Sequence, residues 1–164
     1  MVIINGEKMK EANEEISLVI KIETLERNKS GSIIGVIYFD FGDKKFPEIG
    51  WYDFVDIILS WWLESLKKIL KNFSEKEELL FMDGPLQINL IKKNYEICLL
   101  KCIHIRKNEE RLEHSQTANI ANLLSTILRG AKDIIKICKE KNWSSNDVDI
   151  LKELVNELED VGWQ

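Results

Sequence analysis

The segment FPEIGWYDFVDIILSWW, residues Phe46 to Trp62, runs from the end of a strand into an almost wholly apolar helix through a turn rich in aromatic and acidic side chains. The apolar spacing predicts a helix over about Trp51 to Asn72, and at about 100° per residue Val55, Ile58, Leu59, Trp62, Leu66, Ile69, Leu70 and Phe73 fall on one broad arc, the expected core face. Asp56, Ser60, Lys67 and Lys71 fall opposite that arc. Phe54, Ile57 and Trp61 form a flank between the two, bordered by Asp53 and Glu64, with Trp51 nearby. Adjacent side chains on a helix point about 100° apart, so Trp61 and Trp62 cannot both be central in the core, and Trp62 is the one expected to be buried.

Upstream of this helix, Ile16, Leu18, Ile20 and Ile22 alternate with polar residues as in a half-buried strand. After a turn over Arg27 to Gly31, the run from Ile33 to Phe41 is apolar on both faces, which marks a central strand covered on two sides and paired with the first as a hairpin. Asn5-Gly6 is a two-residue turn signal, so Val2 to Met9 is expected to add a short edge hairpin. Downstream, Glu78 to Asp83, Leu86 to Lys92 and Tyr95 to Arg106 read as a three-stranded meander, with Ile97, Leu99, Ile103 and Ile105 as the regular face of its last strand. Asn108 to His114 is highly charged and reads as a loop. A second helix is expected over Gln116 to Lys141 with the stripe Ile120, Leu124, Ile127, Ala131, Ile134 and Cys138, where Gly130 marks a close contact with another helix. A third is expected after a capping box at Ser144 and Asp147, with Val148, Leu151, Leu154, Val155, Leu158 and Val161 inward, so that these two helices form an αα-hairpin. Two blocks of strands separated by one helix predict an α+β fold: an antiparallel sheet of about five main strands, packed by one central helix and a C-terminal αα-hairpin.

A chain of 164 residues fits a single globular domain, and 45% hydrophobic with 31% charged residues is an ordinary balance for one. The N-terminal apolar run is far too short for a signal peptide and no segment is long enough to span a bilayer, so a cytoplasmic protein is expected. Cys98, Cys102 and Cys138 lack CxxC spacing and read as reduced core thiols. At ~3.3 Å per residue along a strand, Cys98 and His104 lie too far apart to share a zinc ion. The net charge of −5 is local: from Asn142 to Gln164 there are six acids and one base, while the remaining 22 acids and 22 bases cancel. Asp147, Asp149, Glu153, Glu157 and Asp160 thus form an acidic helix face that repels phosphates and steers basic partners, or simply a solvated face. Lysine outnumbers arginine 19 to 4, which also speaks against nucleic-acid readout.

Catalytic patterns are sparse. The chain has no glycine-rich phosphate loop, no GxSxG, no HExxH and only two histidines. Asp40, Asp43, Asp53, Asp56 and Asp83 lie near strand ends or a helix start, where carboxylates can bind a cation, and Asp53 and Asp56 are three apart as if to face one ion. Acids in a first helical turn more commonly complement the helix dipole, so no catalytic residue, metal or cofactor is expected.

YFDFGDKKFP (Tyr38 to Pro47), the Gly50-Trp51 turn, Asp53-Phe54, the Trp61-Trp62 helix and LLFMDGP (Leu79 to Pro85) together resemble small bacterial α+β proteins that look like the immunity proteins accompanying polymorphic or contact-dependent secreted toxins. The resemblance covers Ile16 to about Ile105 and implies a cytosolic, non-enzymatic protein that binds a cognate toxin domain directly; its motifs are fold-forming and carry over no binding residues. The residues themselves nominate Trp51, Asp53, Phe54, Ile57, Trp61 and Glu64 as the partner surface, with the acidic C-terminal face as the second candidate. Against this stand a helix flank covered by helix three or the N-terminal hairpin, an enzyme or small-ligand protein using the strand-end carboxylates, and a scaffold that homodimerises through the exposed helix surface.

Overall fold

A computed structural model describes residues 2–4, 7–9, 15–82 and 84–161. Their order is β1 (Val2–Ile4), β2 (Glu7–Met9), β3 (Ser17–Arg27), β4 (Ile33–Asp40), β5 (Lys45–Phe46), β6 (Tyr52–Phe54), α1 (Val55–Leu70), β7 (Lys76–Leu80), β8 (Leu86–Lys92), β9 (Ile97–Arg106), β10 (Glu109–Asn119), α2 (Ile120–Glu140) and α3 (Asn146–Val161). The α+β class holds, but the expected single sheet is two antiparallel four-stranded sheets and a separate β1–β2 hairpin. In the first, β4 pairs with β3 on one side and with β5 and β6 on the other; the second has the order β10-β9-β8-β7. The Asn5-Gly6 turn and Asp83 lie outside the described residues.

Two strands that the sequence pattern concealed account for the difference. Tyr52–Phe54, assigned above to the helix, pairs with Ile34–Val36 where β5 has ended, and the Trp51 carbonyl accepts from the Ile37 N–H at 2.8 Å. Pairing with a long central strand outweighs the helical propensity of three residues. The aromatic side chains suit that extended geometry. The charged segment read as a loop is β10, which enters through a two-residue hairpin at Lys107 (φ 49°) and Asn108 (φ 63°). Positive φ at both central residues matches the strand twist of a primed turn.

The central strand is covered on both faces as its apolar run required, with Val36, Ile37, Tyr38 and Phe39 all buried. On β9 the inward face is Cys98, Leu100 and Cys102, as the reading of these cysteines as core thiols required, while of the regular face only Ile103 is buried. A strand apolar on both sides does not state its register, and the neighbouring β8 and β10 set it by aligning Leu90, Leu100 and Gln116 in one row.

Helix α1 lies against β4, β7 and both other helices. Val55, Ile58, Leu59, Trp62, Leu66 and Ile69 are buried as the arc required. Phe73, placed on that arc, is 77% exposed because the helix ends at Leu70 and the chain turns at Asn72 (φ 60°). Trp62 joins the two sheets: its ring lies 5.0 Å from Phe39 on β4 and 5.3 Å from Phe81 beyond β7, and its Nε1 donates to the Leu80 carbonyl at 2.7 Å.

Helix α2 begins four residues later than expected, where the Asn119 side chain accepts from the Asn122 N–H at 3.0 Å; its inward stripe is buried throughout. At Gly130 a Cβ would meet Leu18 and Ile20 at 3.0 Å, so the close contact is with β3. Helix α3 is capped by Ser145, one residue past the expected position, whose Oγ accepts from Val148 N–H at 3.2 Å. The αα-hairpin is formed as expected, with Asn142 (φ 55°) at its turn and α3 packed on both α1 and α2.

Candidate functional site

The flank of α1 and the inner edge of α3 enclose a groove of about 240 Å³, lined by Ile57, Ser60, Trp61 and Glu64 from α1 and by Asp147, Ile150 and Leu154 from α3. Trp61 is 40% exposed and Ile150 48%, while Ile57 is half-buried. Helix three therefore covers part of the flank and leaves an aromatic and an aliphatic side chain open at its mouth. Glu64 and Asp147 stand at the same groove.

The acidic face of α3 continues from this groove. Asp149, Glu153, Glu157 and Asp160 are exposed. Glu157 is bound to Lys67 of α1 at 2.7 Å, a contact that holds its carboxyl below the ordinary range, and Glu159 pairs with Lys132 of α2. Asp147, Asp149, Glu153 and Asp160 make no ion pair among the described residues. The two surfaces that the sequence offered as alternatives thus meet in one place.

The nominated residues divide into two groups. Ile57, Trp61 and Glu64 line the groove. Trp51, Asp53 and Phe54 belong to the β6 edge instead, where Trp51 Nε1 donates to Asp53 Oδ2 at 3.0 Å, Phe54 N–H donates to Asp53 Oδ1 at 2.8 Å, and the Trp51 ring meets Phe81 edge-on at 6.4 Å. These contacts fasten β6 and the entry to α1. Ile150 and Leu154 were missed as site residues, although Asp147, Ile150 and Leu154 at i, i+3 and i+7 share one helix side.

Of the carboxylates suggested for a cation, Asp40, Asp53 and Asp56 are engaged in structure. Asp40 accepts from the Gly42 N–H at 2.8 Å and from Lys45 Nζ at 3.0 Å, and these bonds lower its pKa. Asp53 lies in a strand and Asp56 in the first turn of α1, so the two do not share a helix face. Among the described residues no group of three or more His, Cys, Asp or Glu side chains is placed to hold a metal ion. The three cysteines are free and buried, and burial pushes Cys98 and Cys102 up to about 12, which keeps both as inert thiols.

Asp56 departs furthest from its expected place. Read as solvent-facing, it is 0% exposed, because α3 closes over the side of α1 that a two-element view leaves open. Its Oδ1 accepts from Ile57 N–H at 3.0 Å and from Ile33 N–H of β4 at 3.3 Å, tying the helix start to the sheet, while Oδ2 has no hydrogen-bond partner among the described residues. Loss of water, with a smaller push from the Asp147 charge, raises its pKa to about 6 against the pull of those N–H groups. None of the described helices is long and apolar enough to cross a membrane. No protein-family model, curated protein or solved structure matches this chain.

Proposed function

We propose that this chain is a non-enzymatic binding protein that seats a basic, partly apolar protein surface in the α1–α3 groove, and that it acts in the cytoplasm as an immunity protein against a cognate secreted toxin domain. The observation that carries the reading is the juxtaposition of exposed Trp61 and Ile150 with Glu64, Asp147 and the unpaired acids of α3. Aromatic side chains at a partly desolvated groove are the usual anchors of an interface, and unpaired carboxylates around them favour cationic partners and repel nucleic acid. The alternative of strand-end carboxylate chemistry is weaker because Asp40, Asp53 and Asp56 already serve hydrogen bonds within the fold. The resemblance of the Tyr38 to Pro85 region to immunity proteins supplies the class of partner.

The test is to look for a secreted-toxin gene beside the one for this chain and to co-express its toxin domain with the chain, with growth and direct affinity as readouts. Protection by the wild-type chain, lost in Trp61→Ala with the fold intact, is the expected result. Equal protection by both proteins would move the site elsewhere, and absence of protection would remove the immunity reading. Light scattering of the protein alone checks the homodimer alternative, in which Trp61→Ala would convert a dimer to a monomer.

A further inference from the structure

Buried carboxylates are normally paired or richly hydrogen-bonded, because an ionised oxygen out of water with no donor is strongly disfavoured. Asp56 meets that condition with one oxygen only. Its Oδ1 takes the two backbone N–H groups, and among the described residues its Oδ2 is enclosed without a donor. The described residues around it offer no compensating cation. From α3 the facing charge is Asp147, of the same sign, and from α2 the facing group is the uncharged Cys138 thiol. Lys152 of α3 and Arg27 of β3 act on Cys138, and the Arg27 guanidinium donates to the Ser144 carbonyl at 2.9 Å just ahead of α3. From β4 comes only the Ile33 N–H. Asp147 at the same time lines the groove with Trp61.

We infer that Asp56 and Asp147 form a proton-operated latch between α1 and α3: with a proton on Asp56 the first turns of α3 stay closed against α1, and loss of that proton loosens them and widens the groove. Ionisation sets a second negative charge in the field of Asp147 across the α1–α3 packing, a repulsion that α3 can relieve by moving outward into water. Motion of α1 is opposed by its arc and by the Trp62 contacts with both sheets. The folded-state midpoint near pH 6 puts the change within the range a cell can visit. The latch concerns the groove on which the proposed function rests, but it is a property of the free protein, so the two ideas fail separately.

The test is an amide NMR titration of the full chain from about pH 5 to pH 8, with hydrogen exchange corrected for its intrinsic pH dependence. The Ile33 and Ile57 amides, which donate to Asp56, should shift with one common midpoint near 6. Amides of Asp147 to Leu151 should follow the same midpoint and exchange roughly tenfold faster at the alkaline end. Asp56→Asn should abolish the alkaline acceleration, and Asp147→Asn should lower the Ile33 and Ile57 midpoint and reduce it. The latch is refuted if Asp56 titrates in the ordinary carboxylate range, if α3 ignores its titration, or if the acceleration survives in Asp56→Asn. Should Asp56→Asn fail to fold, Asp147→Asn decides: an unmoved midpoint with unchanged acceleration overturns the proposal.

Discussion

Trp61 and Trp62 are neighbours in sequence and occupy opposite roles. Trp62 is 0% exposed between Phe39 and Phe81, with its indole N–H bonded to a strand carbonyl, whereas Trp61 is 40% exposed at the mouth of the α1–α3 groove. A rotation of about 100° along one helix separates a side chain that holds two sheets together from one that stands open at the groove. Residue type alone therefore says little about function on α1; position around the helix says most of it. The same holds for acids: Glu64 is exposed at the groove, while Asp56, two turns earlier, is sealed beneath α3.

The comparison breaks most visibly at Trp62. Trp62→Ala should lower unfolding free energy by about 3–5 kcal/mol, since it leaves a large cavity and an unpaired Leu80 carbonyl. Urea denaturation measures this, and a loss below about 1 kcal/mol would mean that α1 does not join the two sheets.

The next effect is pH-dependent. Between 3.8 and about 6 the folded chain keeps the Asp56 proton that the unfolded chain has lost, so unfolding releases a proton and stability falls as pH rises. The contribution is fully present below 3.8 and gone above about 6, and the shift corresponds to ~3 kcal/mol. Asp40 and Glu157, whose carboxyls are lowered, contribute with the opposite sign, but they are common to wild type and Asp56→Asn. The wild type should therefore lose ~3 kcal/mol relative to the variant between about pH 4 and pH 8. A difference independent of pH would contradict the buried, raised carboxyl.

Trp61→Ala sharpens the contrast from the other side. It should change stability by less than about 1 kcal/mol and weaken a cognate partner by ~2 kcal/mol or more. Calorimetry on both proteins reads the two quantities; a variant that unfolds would place Trp61 with Trp62 as a core residue. The smallest effect expected is none at all: treatment with a chelator should leave Tm unchanged, and a fall of several degrees would reveal an ion needed for folding.

Local periodicity was enough to recognise α1, α2, α3, the β3–β4 hairpin and most of the meander, because each follows from spacings of two, three or four residues that neighbouring side chains impose. It was enough, too, to separate Trp62 from Trp61. Helix starts were less legible: α1 and α2 each begin four residues later than the apolar spacing places them, and the cap of α3 is Ser145 in place of Ser144. Half of the nominated site, Ile57, Trp61 and Glu64, came from the helix projection alone. Trp51, Asp53 and Phe54 were assigned to the same surface because a strand of three residues leaves no periodic trace.

What the tertiary structure decided is everything that depends on residues distant in sequence. Tyr52–Phe54 became a strand because β4 offered an unpaired edge, and β10 became one because a two-residue turn returned a charged segment along β9. The inward face of β9 followed from its neighbours' register. Above all, α3 closing on α1 buried Asp56, part-covered Ile57 and carried Asp147 and Ile150 to Trp61. A sequence states which side chains share a face of their own element, since that geometry is fixed within one or two turns; which faces meet is settled only when elements far apart in the chain bury their apolar surface together.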